Sequence, residues 1–215
     1  MPIKLSNASK MPCKSWSLQA GETCPGSIDP TTKKPVEVCA GCYAKDGFYN
    51  MPGAVKVRDD NREDWKRYDW EDEMVAELET QRYFRWFDSG DCYHPRLAQK
   101  IYNVMLRTPW CKHWMPSKSY KIERIRVIFD LMKKLSNVSL RYSSDSINGQ
   151  YDEEHGSTVI PYADTPTNAK VCDAYERKGK CGPCRACWDK TVDVIAYPAH
   201  GKRMMAKVKR LKIAA

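Results

Sequence analysis

Ten cysteines in 215 residues are the first chemistry this chain offers. Near the C-terminus Cys172 is followed by Cys181-Gly182-Pro183-Cys184-Arg185-Ala186-Cys187, two CxxC steps in succession. Each step turns two thiolates toward one side, so the four sulfurs converge on a single metal centre. Zinc takes four thiolates tetrahedrally, and the doubled step equally suits a [4Fe–4S] cluster. Zinc is the expected cofactor, the iron–sulfur cluster its alternative, and His200 a substitute ligand for one cysteine. Cys13, Cys24, Cys39 and Cys42 contain one CxxC and two outlying thiols, and read as a second four-ligand site. Cys92 and Cys111 are left over as small hydrophobes. The opening MPIKLSNASKMPCKSW lacks the apolar core of a secretion signal, which favours a reducing compartment and metal over disulfides.

Carboxylates, hydroxyls and a lysine recur where predicted strands end. Strands are expected over 83–87, 111–115, 138–142, 158–162 and 192–197, separated by helices over 95–106 and 121–134. The strands are followed in turn by Asp88-Ser89-Gly90-Asp91, Ser117-Lys118-Ser119, Ser143-Ser144-Asp145-Ser146, Ala163-Asp164-Thr165-Pro166 and His200-Gly201. Strands alternating with helices imply a mainly parallel sheet, and in such folds the ligand lies at the carboxyl ends of the strands. Asp88, Asp145 and Asp164 are therefore candidate catalytic carboxylates, and Ser89, Gly90, Lys118, Ser143 and His200 candidate substrate contacts. Asp and Ser in these places also serve as helix N-caps.

These elements group into a cysteine-rich irregular segment (1–57), a βα core (58–170) that opens with a helix over 59–80, and a metal-binding segment (171–215) closing on a basic helix over 202–213. The fold class expected is α/β, a partial or compact (β/α) barrel-like parallel sheet flanked by metal-binding segments. Hydrophobic residues are 42% and charged residues 29% of the chain, too apolar for a disordered one. No apolar run reaches the roughly 18 residues that span a bilayer. Thirty-six Lys and Arg against 27 Asp and Glu give a net charge of +9, which points to a polyanion, DNA first and RNA second. Lys202, Arg203, Lys207, Lys209, Arg210 and Lys212, with no acid among them, are the expected phosphate contacts. Trp16, Trp86, Trp114 and Trp188 are candidates for stacking on a base, against the commoner reading that they pack a core.

The segments KMPCKSWSLQAGETCPG, VCAGCYAKDG, RWFDSGD and KCGPCRACW together resemble the phage "gene product 88" family, which implies a location in the cytoplasm of an infected host cell. Asp88-Ser89-Gly90 after a strand is similar to the Asp-Ser-Gly-Gly-Phe element of tRNA-guanine transglycosylases. The stretch Asp164-Thr-Pro-Thr-Asn-Ala169 resembles their nucleophile segment. Phage relatives of these enzymes exchange guanine in DNA for a 7-deazaguanine base. The resemblance implies Asp164 as nucleophile, Asp145 as its rival, Asp88 as acid/base, and a free 7-deazaguanine-type base as co-substrate. Those enzymes are longer, complete barrels whose zinc motif begins CxC. The CPG…CxxCYA pattern is similar instead to some phage radical-SAM-like proteins, although the CxxxCxxC signature is absent. That likeness implies an iron–sulfur enzyme dependent on Cys24, Cys39 and Cys42. A metal-stapled nucleic-acid-binding protein without catalysis is the third expectation.

Overall fold

In the computed structural model, residues 2–214 are described, with side chains described as far as Lys209. Five strands form the main sheet in the order β1 (Ser6–Asn7), β2 (Lys14–Trp16), β3 (Tyr83–Trp86), β4 (Lys112–Ser117) and β5 (Val138–Tyr142). β1 runs antiparallel to β2, and every later pairing in the sheet is parallel. A second sheet, all parallel, is ordered β6 (Ser157–Ile160), β8 (Ile195–Pro198), β7 (Lys170–Val171). One parallel bridge, Ser143 to Ser157, joins the two sheets. The fold is thus mixed α/β with a mostly parallel sheet. Among the described residues the strands form an open series with β1 and β7 outermost, so the expected barrel is not seen.

The helices are α1 (Glu37–Ala40), α2 (Pro52–Asp64), α3 (Trp70–Glu77), α4 (Pro95–Arg107), α5 (Glu123–Lys134) and α6 (Lys202–Ala214). In α4 the fixed φ of Pro95 suits the first helical position, and the His94 ring accepts a bond from the Arg96 amide. Its Leu97, Ile101, Val104 and Met105 recur at helical spacing and are fully buried. α5 carries Glu123 in its first turn and Lys133 and Lys134 in its last, matching the helix dipole, and buries Ile125, Phe129 and Met132. These side chains meet Phe84, Trp86, Met115, Val138, Leu140 and Tyr142 from one face of the sheet, together with Trp16 and Trp70.

The helix expected over 59–80 is two helices. Trp65 and Trp70 both enter the core, and residues five apart cannot share one narrow stripe of a straight helix. Between them Arg67 pairs with Asp64 at 2.6 Å, Asp69 at 2.5 Å and Glu73 at 2.7 Å, holding the turn. β2 has no counterpart among the expected strands. It is three residues long, too short for a period-two pattern, yet it supplies Trp16 to the core.

The other face of the main sheet carries Tyr83, Arg85, Trp114 and Arg141, since successive strand residues point to opposite faces. Part of the cysteine-rich C-terminal segment lies against it. Arg141, 3% exposed, donates to the carbonyl oxygens of Ala186, Cys187, Asp189, Val192, Asp193 and Gly156 at 2.7 to 3.2 Å. Trp188 donates from its indole nitrogen to the Phe84 carbonyl at 2.8 Å and meets Trp114 edge-on. The indoles of Trp16, Trp86, Trp114 and Trp188 are all buried and pack the protein rather than offering a surface to a base.

Candidate functional site

The carboxyl ends of β2 to β5 are stitched together by short polar contacts. Asp88 accepts a hydrogen bond from the Ser17 hydroxyl, while the Asp88 amide donates back to Ser17 Oγ at 3.1 Å. The Tyr43 hydroxyl donates to the Asp88 carbonyl at 2.9 Å, and Ser89 donates to the Leu18 carbonyl at 2.7 Å. Gly90 has φ of +72°, and a Cβ there would stand 2.6 Å from the Leu18 carbonyl oxygen. The Asp-Ser-Gly element is therefore a seam between the ends of β2 and β3. Asp91, to which the sequence assigned no role, accepts from the Ser117 hydroxyl at 2.6 Å and from the amides of Lys118 and Cys92. Burial raises its pKa.

Lys118 is buried with its ammonium donating to the carbonyls of Ser143, at 2.8 Å, and Ser144, and lying 3.3 Å from the Asp145 carboxylate. Burial lowers its pKa despite the nearby negative charges of Cys39 and Asp145. Burial acts to raise the pKa of Asp145, but its bond from Lys121 at 2.5 Å and the charge of Lys118 hold it below the usual range. Ser143 accepts from the Ser157 hydroxyl at 3.2 Å, where the sheets join. Asp164 stands exposed in the turn after β6; among the described residues no hydrogen bond or ion pair links it to Asp88 or Asp145. The structure brings Lys118 and Asp145 into contact and leaves Asp164 apart.

Above these strand ends runs the loop bearing Cys24, Cys39 and Cys42, pinned at four points. Gly26 packs on the Lys118 backbone so closely that no side chain fits. The Val38 amide donates to the Asp145 carbonyl at 2.9 Å. Gly41 lies under Met204 of α6, where a Cβ would stand 2.9 Å from the sulfur, and Tyr43 reaches Asp88 as described. Burial pushes the Cys24 thiol up to about 12, with Asp91, Cys39 and Cys42 adding to the effect. Cys39 rises to about 11, again from burial, against the favourable charge of Lys118. The three thiols thus feel one another electrostatically.

Cys13 does not join them. It packs beside Cys181 and Cys187, with Met11, Trp114 and Trp188, on the far side of the sheet. The thiols therefore divide into three on the N-terminal loop and five around the C-terminal steps. The Cys181 amide donates to the Lys10 carbonyl at 2.9 Å, the Cys172 amide to Ala196 at 2.8 Å, and Cys187 Sγ lies 3.2 Å from the Tyr197 hydroxyl. Burial pushes Cys13 to about 12 and Cys187 to about 11. Among the described residues no three His, Cys, Asp or Glu side chains form a group that could hold a metal ion. Cys92 and Cys111 lie in the main core.

His200 stacks on Tyr43, ring centroids 5.4 Å apart, and approaches Tyr175 at 5.2 Å; burial lowers its pKa. In α6, Met204 and Val208 are buried, Lys202, Arg203 and Lys209 are exposed, and Lys207 is partly so. Arg203 pairs with Asp46 at 2.8 Å. The side chains of Arg210 and Lys212 lie outside the described residues. No described helix is long and apolar enough to cross a membrane.

The family model for Gene product 88 matches residues 2–190. The chain belongs to the Gene product 88 family. No curated protein and no solved structure matches it. The Gene product 88 span holds all ten cysteines and the strand ends of the main sheet, and stops before β8, His200 and the basic helix.

Proposed function

We propose that this Gene product 88 chain is an iron–sulfur enzyme acting at the carboxyl ends of its parallel strands, with Cys24, Cys39 and Cys42 as ligands. The supporting observation is the loop itself: three thiols fixed at four points over the end of a parallel sheet, beside a buried lysine. The donor set fits the group. Soft thiolates suit iron–sulfur clusters, and thiols whose protons are held so tightly by burial gain most from a metal that replaces the proton. A four-iron cluster on three thiolates supplies one-electron chemistry and leaves one iron without a protein ligand.

The chain's own residues supply the remainder. Lys118 sets a positive charge against the thiolates, Tyr43 and His200 wall one side, and Asp91 is a buried acceptor beneath the loop. S-adenosylmethionine is the co-substrate to test, given the likeness of CPG…CxxCYA to radical-SAM-like proteins. The C-terminal thiols hold zinc or a second cluster and staple their segment. DNA, or RNA, is the partner that the α6 lysines favour, in the infected cell's cytoplasm.

Base exchange by a guanine transglycosylase needs one carboxylate free to attack a sugar carbon and a second placed opposite. Asp88 is engaged by Ser17, Asp145 by two lysines, and Asp164 stands apart from both, so the thiols support their reading better than the aspartates support this one.

The test is metal, sulfide and visible absorption of protein purified without oxygen, with Cys39→Ser beside it. A brown protein with about four irons per N-terminal cluster, lost in Cys39→Ser, is expected. A colourless zinc protein that exchanges guanine in DNA, and loses that activity in Asp164→Asn, overturns the proposal in favour of the transglycosylase.

A further inference from the structure

Arg85 projects from β3 into the face covered by the C-terminal cysteines. Its guanidinium lies 4.3 Å over the Trp114 ring, and two of its contacts are weak: Nη1 on Met11 sulfur at 3.3 Å and Nη2 on the Phe87 carbonyl at 3.5 Å. The Tyr43 hydroxyl also approaches it, and burial keeps that phenol neutral. Nε is sealed from solvent with no hydrogen-bond partner. No carboxylate lies within 4.0 Å of it among the described residues, and Asp88, its nearest acid, faces Ser17. A guanidinium does not lose its proton, and a buried charge without a partner is costly. Other cations near the C-terminal thiols are committed: Arg141 to six carbonyls, Arg177 to both oxygens of Asp173 at 2.5 and 2.6 Å. Arg85 faces the thiols unspent, close enough that its charge favours the thiolate form of Cys13, Cys181 and Cys187.

We infer that Arg85 is the buried counter-charge of a second metal centre held by Cys172, Cys181, Cys184 and Cys187. Four thiolates around zinc(II), or around an oxidised four-iron cluster, carry a net charge of minus two. Metal binding releases the thiol protons and creates the anion that Arg85 lacks. Cys13, beside Cys181, remains a thiol outside the ligand set. Arg85 is a positioning residue: it touches no substrate and acts through the charge of the centre. The inference rests on the C-terminal thiols holding metal, and not on the N-terminal cluster.

The full chain carrying Cys24→Ser, Cys39→Ser and Cys42→Ser reads the second centre alone, whether or not the iron–sulfur proposal holds. In that background, metal content, its loss to EDTA, and melting with and without metal are compared for Arg85, Arg85→Lys and Arg85→Gln. Arg85→Gln is expected to release metal about 10- to 100-fold faster, the usual effect of removing a group that supports the ligands from outside, while Arg85→Lys stays near the parent. Without metal, Arg85→Gln is expected to melt no lower than the parent, because it removes an uncompensated buried charge. The inference is overturned if the triple-serine chain binds no metal, or if Arg85→Gln releases it at the parent rate. It is overturned equally if Arg85→Gln fails to fold in the metal-free state, which would make Arg85 a plain fold residue.

Discussion

His113 on β4 is fully buried between Trp86, whose indole donates to Nδ1 at 3.2 Å, and Thr108, whose hydroxyl lies 2.9 Å from Nε2. Burial pushes its pKa down to about 3. The folded chain keeps it neutral while the unfolded chain protonates it near the ordinary histidine value. This contribution is therefore complete above about pH 6.5 and is lost as pH falls from there toward 3, by about tenfold in the folding constant per pH unit. Urea titrations between pH 7 and 5 should show that slope, and His113→Asn should flatten it; an unchanged slope would acquit His113. At this scale the cysteines were legible, because ligand spacing is written in sequence. Arg85 and Arg141 were not. A charged residue at alternate strand positions reads as a solvent face, and only the docked segment from residue 186 onward makes it an interior one.

Among elements, long amphipathic ones were read well. α4 and α5 begin and end within two residues of expectation, and β3 to β6 and β8 fall on their predicted apolar runs. The failures are local. β2 has too few residues for a period, and the turn at Arg67 is enforced by ion pairs spread over ten positions, which no periodic pattern encodes. The loop from Cys24 to Tyr43 depends on backbone approach rather than side-chain pattern, and Gly26 is its tightest seat. Gly26→Ala should lift the loop off Lys118. Under the iron–sulfur proposal the N-terminal cluster is then lost while the C-terminal metal stays, a split that metal analysis of Gly26→Ala beside Cys184→Ser reads directly. Equal loss at both sites would mean that Gly26 supports the whole fold instead.

For the molecule as a whole, net charge and composition placed a globular α/β chain correctly but said nothing of closure, since a closed and an open series of parallel strands have the same local pattern. The positive charge has its most separable expression in α6, which keeps Met204 and Val208 inward and Lys202 and Lys209 outward. Charge reversal at Lys202, Lys207 and Lys209 should weaken retention on duplex DNA and flatten its dependence on salt, the logarithmic slope falling by about one for each phosphate no longer neutralised. Binding and salt slope equal to the parent would remove α6 from the interface.

Arg141 gives the protein a timetable. Five of its six carbonyl partners lie between residues 186 and 193, beyond β5 by the length of the second sheet's first two strands. On the ribosome the main sheet is therefore finished while one of its faces, with Trp114 and Tyr83, is still bare. The N-terminal thiol loop is synthesised first, and the segment that covers that face arrives nearly last. A cell stalled before residue 193 holds a chain with every strand of its main sheet and an apolar surface that nothing of its own has yet covered, a ready client for a chaperone.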